Sequence, residues 1–162
     1  MALQHLAFPA TVEFATQRWW HAPLEGDEVW VGARRNGRLI GSALLVFRTV
    51  TAGCGDLPVG GVGNVCSHPD SRGQGAAKAC MRAAQEIIAS AADFGMLMAG
   101  GKVRAFYEDL GWRVIDSEVV YRKVDGSEAV FHGPEPFILI YPGRRQLADW
   151  PEGPINLNGP DW

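Results

Sequence analysis

The sequence predicts an α/β domain, a mixed and mostly antiparallel central sheet with helices on both faces. Three observations carry that prediction. An Asn36-Gly37 step separates two β-prone runs, an Ala-rich segment spaces its apolar residues as a helix does, and strands alternate with helices further on. Meandering strands followed by strand-helix alternation are the pattern of a sheet with helices packed on it. The 162 residues fit one domain, the last of them (142–162) forming a C-terminal tail packed on the body; at this size roughly 70% of the unfolded surface can be buried.

The elements follow in order. Residues 12–22 set Val12, Phe14, Ala15, Trp19 and Trp20 among polar neighbours, the spacing of a helix whose aromatic end turns inward, and Pro23 stops it. Val29 and Val31 belong to one strand and Leu39 to Val50 to the next. Asn-Gly between them is a hairpin signal because both central residues of a type I′ turn need positive φ. Leu57 to Ser67 reads as a third strand. Ala76, Ala79, Cys80, Ala83, Ala84, Ile87, Ile88 and Ala91 recur at helical spacing, so a helix over 75–92 lays that face on the sheet. Met96 to Gly100 is a short apolar strand, "KVRAFYEDL" is a helix ended by Gly111, and "WRVIDSEVVYRK" and "AVFHGPEPFILIYP" are two more strands. Beyond Pro142 the chain is rich in Pro, Gly and Asn, yet keeps Trp150, Leu157 and Trp162. Such anchors are poorly compatible with disorder, so this tail is expected to be pinned to the body.

Composition narrows the function classes. Hydrophobic residues at 47% and charged residues at 20% are ordinary for a soluble domain. A net charge of −3, with the basic pairs Arg34-Arg35 and Arg144-Arg145 scattered, provides no clustered basic face for nucleic acid. No window approaches the roughly 18 unbroken apolar residues of a membrane span, and the N-terminus has no signal-peptide pattern. Cys54, Cys66 and Cys80 show no CxxC spacing, which argues against a disulfide framework or a metal site and for reduced thiols in a cytoplasm.

The chemistry concentrates in "NVCSHPDSRGQGAAKACMRAAQE", Asn64 to Glu86. A polar hinge, Pro69-Asp70-Ser71, leads from a strand into a helix, with Gly73, Gly75 and Ala77 across the junction. Helix N-termini offer open N–H groups and a positive dipole end, small residues let an anion approach, and Arg72 adds charge. Phosphate suits that arrangement. A Walker A loop fails because no Ser or Thr follows Lys78 and the spacing is wrong; a dinucleotide fingerprint fails at its third glycine.

Arg72-Gly73-Gln74-Gly75-Ala76-Ala77 resembles the [R/Q]-x-x-G-x-[G/A] acetyl-CoA pyrophosphate loop of the GNAT superfamily of N-acetyltransferases. The preceding Val65-Cys66-Ser67-His68-Pro69 and the later Phe106-Tyr107-Glu108-Asp109-Leu110-Gly111-Trp112 are similar to that family's flanking strand and second signature. The resemblance spans Asp27 to Tyr141 and implies the GNAT fold and acetyl-CoA as co-substrate. It implies contacts from Val65, Cys66, Ser67, the loop residues 72–77 and Phe106, and Tyr107 as general acid to the departing thiolate. The tail, with "ADWPEG" at Ala148–Gly153 and Gly159-Pro160-Asp161-Trp162, resembles the aminoglycoside 2′-N-acetyltransferase branch, although it is longer between its tryptophans.

Acetyl transfer to an amine needs a neutral amine, a stabilised oxyanion and a proton for the leaving thiolate. Tyr107 fits the last need, or else packs beneath the CoA arm. The base is less evident, because Gly63 or Asn64 stands where relatives carry a glutamate. Asp56, Glu28, His68, Asp161 and the Trp162 carboxylate are the alternatives, or water alone. Trp20, Trp30, Asp149, Trp150, Asp161 and Trp162 are the candidate substrate contacts, since aromatic faces and carboxylates suit an aminosugar cation; each tryptophan also fits a place in the core. The expected partner is a small amine, with homodimerisation left open. Two other readings stand beside it: a catalytically silent acetyl-CoA-binding module, and a transferase for protein amines.

Overall fold

The structure is a computed structural model that describes residues 3, 7, 25–53, 55–123, 125–131 and 135–162. The helix expected over 12–22, Trp20 with it, and Cys54 lie outside the described residues.

Strands β1 (Asp27–Arg35) and β2 (Arg38–Ala52) form the expected hairpin. Asn36 and Gly37 take φ of 49° and 79°, the double positive φ of a type I′ turn. Strand β3 (Gly55–Ser67) runs antiparallel to β2, and helix α1 (Ala76–Ala91) crosses to β4 (Phe94–Ala99), which is parallel to β3. Helix α2 (Gly101–Glu108) follows. Beyond it the two long strands expected from the sequence each break in two: β5 (Arg113–Ile115) and β6 (Val119–Arg122), then β7 (Glu128–Phe131) and β8 (Phe137–Pro142). The polar run Asp116-Ser117-Glu118 supplies no apolar alternation to continue the first, and Pro136 has no N–H for a ladder in the second. A short β9 (Ile155–Asn156) comes from the tail. The sheet order is β5-β8-β4-β3-β2-β9-β6-β7, and β1 lies along the same edge of β2 as β9, pairing residues 38–47 where β9 pairs Thr51 and Ala52. β9 pairs Thr51 and Ala52 of β2 on one side and Val119 and Val120 of β6 on the other, so the tail itself joins the β6–β7 hairpin to the sheet.

Strand alternation divides the core. Leu44, Val46, Val59, Met96 and Ile138 face one way, together with Ile155, Leu157 and Trp162 of the tail. Leu45, Val62, Leu97 and Leu139 face the other, against Met81, Ala84 and Ile88 of α1 and Tyr107 of α2. Burying a side chain of this size is worth about 1.5–3 kcal/mol, which fixes the strand registers, since a one-residue slip would turn each face inside out.

Two irregularities in β3 open the sheet. Its pairing with β4 runs from Val59↔Phe94 to Val62↔Leu97 and stops there, although β3 continues to Ser67. The register against β2 steps from Leu44↔Gly63 to Ser42↔Cys66, a bulge at Asn64, whose φ is 52°. A bulge bends its strand, here where β3 and β4 part.

Candidate functional site

At that parting lies a cavity of about 320 Å³ lined by Ala7, Val65, Cys66, Ser67, Arg72, Ala77, Val103, Phe106 and Tyr107. The end of β3, the loop, the start of α1 and one face of α2 meet there. Seven of these nine are residues singled out from the sequence. The other two are Ala7, which carried no signal, and Val103, which stands one helical turn before Phe106-Tyr107 on the same face and was legible from that spacing.

The loop is shaped by two left-handed glycines. Gly73 and Gly75 have φ of 73° and 81°, and a Cβ on either would meet nothing within 4 Å, so backbone conformation rather than crowding demands glycine. Gly75 caps α1 without a side-chain hydrogen bond. Ser67 Oγ accepts from the Ala77 N–H at 3.2 Å, tying the strand end to the first helical turn. The N–H groups of Gly73, Gly75, Ala76 and Lys78 have no hydrogen-bond partner among the described residues, and they open at a positive dipole end. Arg72 lines the cavity and donates to the Ala7 carbonyl at 3.3 Å. This donor set suits the pyrophosphate of a nucleotide thioester, and the unpaired edge of β3 beyond Val62 offers backbone groups to an extended arm.

Tyr107 is nearly buried against Phe106 and Trp112, with ring centroids 5.0 and 6.5 Å away, both edge-on. Burial pushes its phenol up to about 12, because the phenolate would lose its hydration. The proton therefore stays on the oxygen at any physiological pH. Gln85 of α1 donates to the Leu110 carbonyl at 2.7 Å and steadies the turn after α2. Cys66 also lines the cavity, but its thiol is buried 3.3 Å from Ser42 Oγ, and burial pushes it up as well, as it does Cys80, so neither is poised as a thiolate nucleophile.

The alternatives for a base are spread out. His68 is buried with both ring nitrogens engaged: Nδ1 accepts from the Asp70 N–H at 3.2 Å and Nε2 lies 2.7 Å from Arg38 Nη2. It caps the single turn Pro69–Ser71. Asp56 sits at the far end of β3, roughly 26 Å along the strand from Asn64 by strand rise, where it accepts from Thr51 Oγ1 at 3.4 Å. Glu28 is exposed on β1 opposite Val46. Asp161 lies within electrostatic reach of Arg48 and Tyr121.

The candidate substrate contacts divide. Trp162, 7% exposed, lies on the other side of β3 from the helices. A Cβ at Gly61 would fall inside its ring, and one at Gly63 would come 2.6 Å from its main-chain carboxyl carbon, so the carboxylate named among the candidate bases stands directly over Gly63. Arg48 stacks over the Trp162 ring at 5.2 Å and donates to the Pro160 carbonyl at 2.5 Å. Trp30, 50% exposed, is the cross-strand partner of Leu44, which in turn partners Gly63. Trp30, Leu44 and Gly63 thus form one row that ends beneath the Trp162 main chain. Trp150 instead packs edge-on against Phe94 at 5.0 Å, and Asp149 closes a capping box with Gln146. Among the described residues no three His, Cys, Asp or Glu side chains gather as a metal site. No helix there is long and apolar enough to cross a membrane.

The parallel pair β3–β4 thus splits beside a glycine loop and the start of α1. Residues 1–115 match the family model described as the acetyltransferase (GNAT) domain, and the chain belongs to that family. Among solved structures it is similar to a probable N-acyltransferase from Enterococcus faecalis V583, with a TM-score of 0.58 and 21% identity over 70% of this chain and 28% of that one. A putative acetyltransferase from Agrobacterium tumefaciens str. C58 gives 0.55 and 23% over 72% and 85%. Escherichia coli ElaA gives 0.55 and 16% over 90% and 86%. At these identities the likeness is one of fold. The chain spans little more than a quarter of the Enterococcus protein. No curated protein matches it.

Proposed function

We propose that this domain is an N-acetyltransferase that moves acetyl from acetyl-CoA to the amine of a small cationic substrate, of which the 2′-amine of an aminoglycoside is the leading candidate. One observation carries the reading: a single cavity gathers Val65, Cys66 and Ser67, the loop residues Arg72 and Ala77, and Phe106 with Tyr107. Acetyl-CoA supplies an activated thioester when bound. The open N–H groups of the loop and Arg72 hold its pyrophosphate, and the free edge of β3 hydrogen-bonds its arm. Tyr107 holds a proton beside the thioester position and releases it as the C–S bond breaks. Because burial makes this phenol a weaker acid than a free tyrosine, proton transfer accompanies cleavage rather than preceding it.

The acceptor approaches from the tail side of β3. Trp30 and the Trp162 main chain flank the row that reaches Gly63, and an aromatic face with a carboxyl acceptor suits an ammonium or aminosugar amine. Asp161 adds negative charge at the same end. Trp162 fills the space over Gly61 and Gly63, which argues for a compact acceptor rather than an extended polypeptide. No carboxylate projects from position 63 or 64, but the Trp162 main-chain carboxyl stands where a Gly63 side chain would begin, so that carboxylate or a water takes the proton from the amine. Thiol release from acetyl-CoA, measured against a panel of aminosugars, polyamines and peptides, tests the reading. Stimulation by aminosugars alone is expected; release that no amine stimulates, with acetyl-CoA still bound, would favour the silent acetyl-CoA-binding module, which the missing carboxylate also suits.

A further inference from the structure

Arg35 and Arg38 are direct cross-strand partners beside the Asn36-Gly37 turn. Like charges placed opposite each other weaken a hairpin, and a chain with net charge −3 has no global need for them there. Both side chains turn to the glycine loop. Arg35 Nη1 donates to Gln74 Oε1, and Gln74 Nε2 in turn donates to the Asp70 carbonyl at 3.0 Å. Arg38 Nη2 lies 2.7 Å from His68 Nε2, at the turn that opens the loop. Among the described residues neither guanidinium meets a carboxylate. Each has five N–H donors in a planar fork, so each keeps donors unspent. Two cations held side by side at the rim of a phosphate loop, with no carboxylate on either among the described residues, lack only an anion.

We propose that Arg35 and Arg38 form a second phosphate subsite, separate from the glycine loop, which takes the 3′-phosphate on the ribose of CoA. The proposal rests on the reading of the loop as the pyrophosphate site: that site fixes the nucleotide end nearby, and the hairpin then reads the one further phosphate it carries. The Arg35–Gln74–Asp70 chain of hydrogen bonds holds the hairpin against the loop before ligand arrives, so little ordering remains on binding. Guanidinium forks match phosphate oxygens bidentately, and the mutual repulsion of the pair is relieved when the anion sits between them.

Calorimetric titration with CoA and with 3′-dephospho-CoA tests this. The intact chain is expected to bind CoA about tenfold more tightly, the scale of one or two charge-assisted hydrogen bonds at an exposed site. The preference is expected to fall toward unity near 1 M salt, where screening shortens to about 3 Å. Arg35→Gln with Arg38→Gln should weaken CoA about tenfold and leave dephospho-CoA unchanged, so that the two ligands become equal. If the double variant does not fold, the exposed Arg35→Gln alone should cost about threefold against CoA only. Equal affinities in the intact chain, or equal losses for both ligands in the variants, would overturn the subsite and leave the loop reading standing. Binding of neither nucleotide would overturn both.

Discussion

β3 meets the glycine loop and α2 on one side and the C-terminal tail on the other, and the two sides are assembled differently. On the loop side, the strand end, turn and helix start are consecutive in the chain. Ser67 reaches Ala77 across the loop it closes, and left-handed glycines expose N–H groups that local geometry leaves open. On the tail side, Gly61 and Gly63 are seats for Trp162, Arg48 clamps Pro160 and Trp162, and β9 completes the ladder between β2 and β6. Every contact there joins distant parts of the chain. Chemistry that depends on backbone conformation is written compactly; a surface that depends on shape is distributed.

Breaking the tail side should have the largest effect on stability. Gly61→Val puts a branched side chain inside the Trp162 ring, so the ring must leave; displacing a buried tryptophan is worth about 3–5 kcal/mol. Denaturant unfolding is expected to show a loss of that order with acetyl-CoA affinity nearly unchanged. A loss below about 1 kcal/mol would mean that Trp162 is not held as described.

Breaking the other side acts on rate. Tyr107→Phe should lower turnover about hundredfold or more, the scale of general acid catalysis, while the acetyl-CoA Kd moves less than about twofold. Parallel changes in both would make Tyr107 a packing residue only.

The same tyrosine sharpens the comparison through pH. Its folded-state value of about 12 lies above the ordinary 10, so the folded chain holds this proton more tightly than the unfolded chain. Its contribution is therefore complete below about pH 10 and lost as pH rises from about 10 through about 12, a change of about 2–3 kcal/mol. The stability difference between the intact chain and Tyr107→Phe, followed by unfolding from pH 9 upward, should contain that loss; a flat difference would contradict the burial of the hydroxyl.

The smallest effect belongs to the loop. Gly75→Ala keeps open space around its Cβ but forces alanine to a φ of 81°, at about 1–2 kcal/mol. Acetyl-CoA affinity should fall several-fold with no change at the tail. Unaltered binding and stability would show that the left-handed cap is dispensable.

The residues explain which parts were legible. Asn36-Gly37, the Ala-rich face of α1 and the Arg72–Ala77 loop follow from period and positive φ, both local properties, and the structure reproduces each. The splitting of the β5–β6 and β7–β8 segments and the existence of β9 were not legible. Strands of two to four residues take their stability from the partner they find, and propensity over so few residues decides nothing. Trp150 and Trp162 carried equal weight in the sequence as substrate contacts. Only packing separated them, setting one against Phe94 and the other over Gly61 and Gly63.

By itself the sequence determined the α/β class, the hairpin, the glycine loop and the helix that bears Tyr107, because each depends on residues a few positions apart. The tertiary structure decided that β3 and β4 part at Asn64, that Arg35 and Arg38 meet the loop from another hairpin, and that Trp162 lies where a side chain at Gly63 would project. Those are long-range contacts, set by which surfaces bury the most area together, and no local pattern of residues encodes that competition.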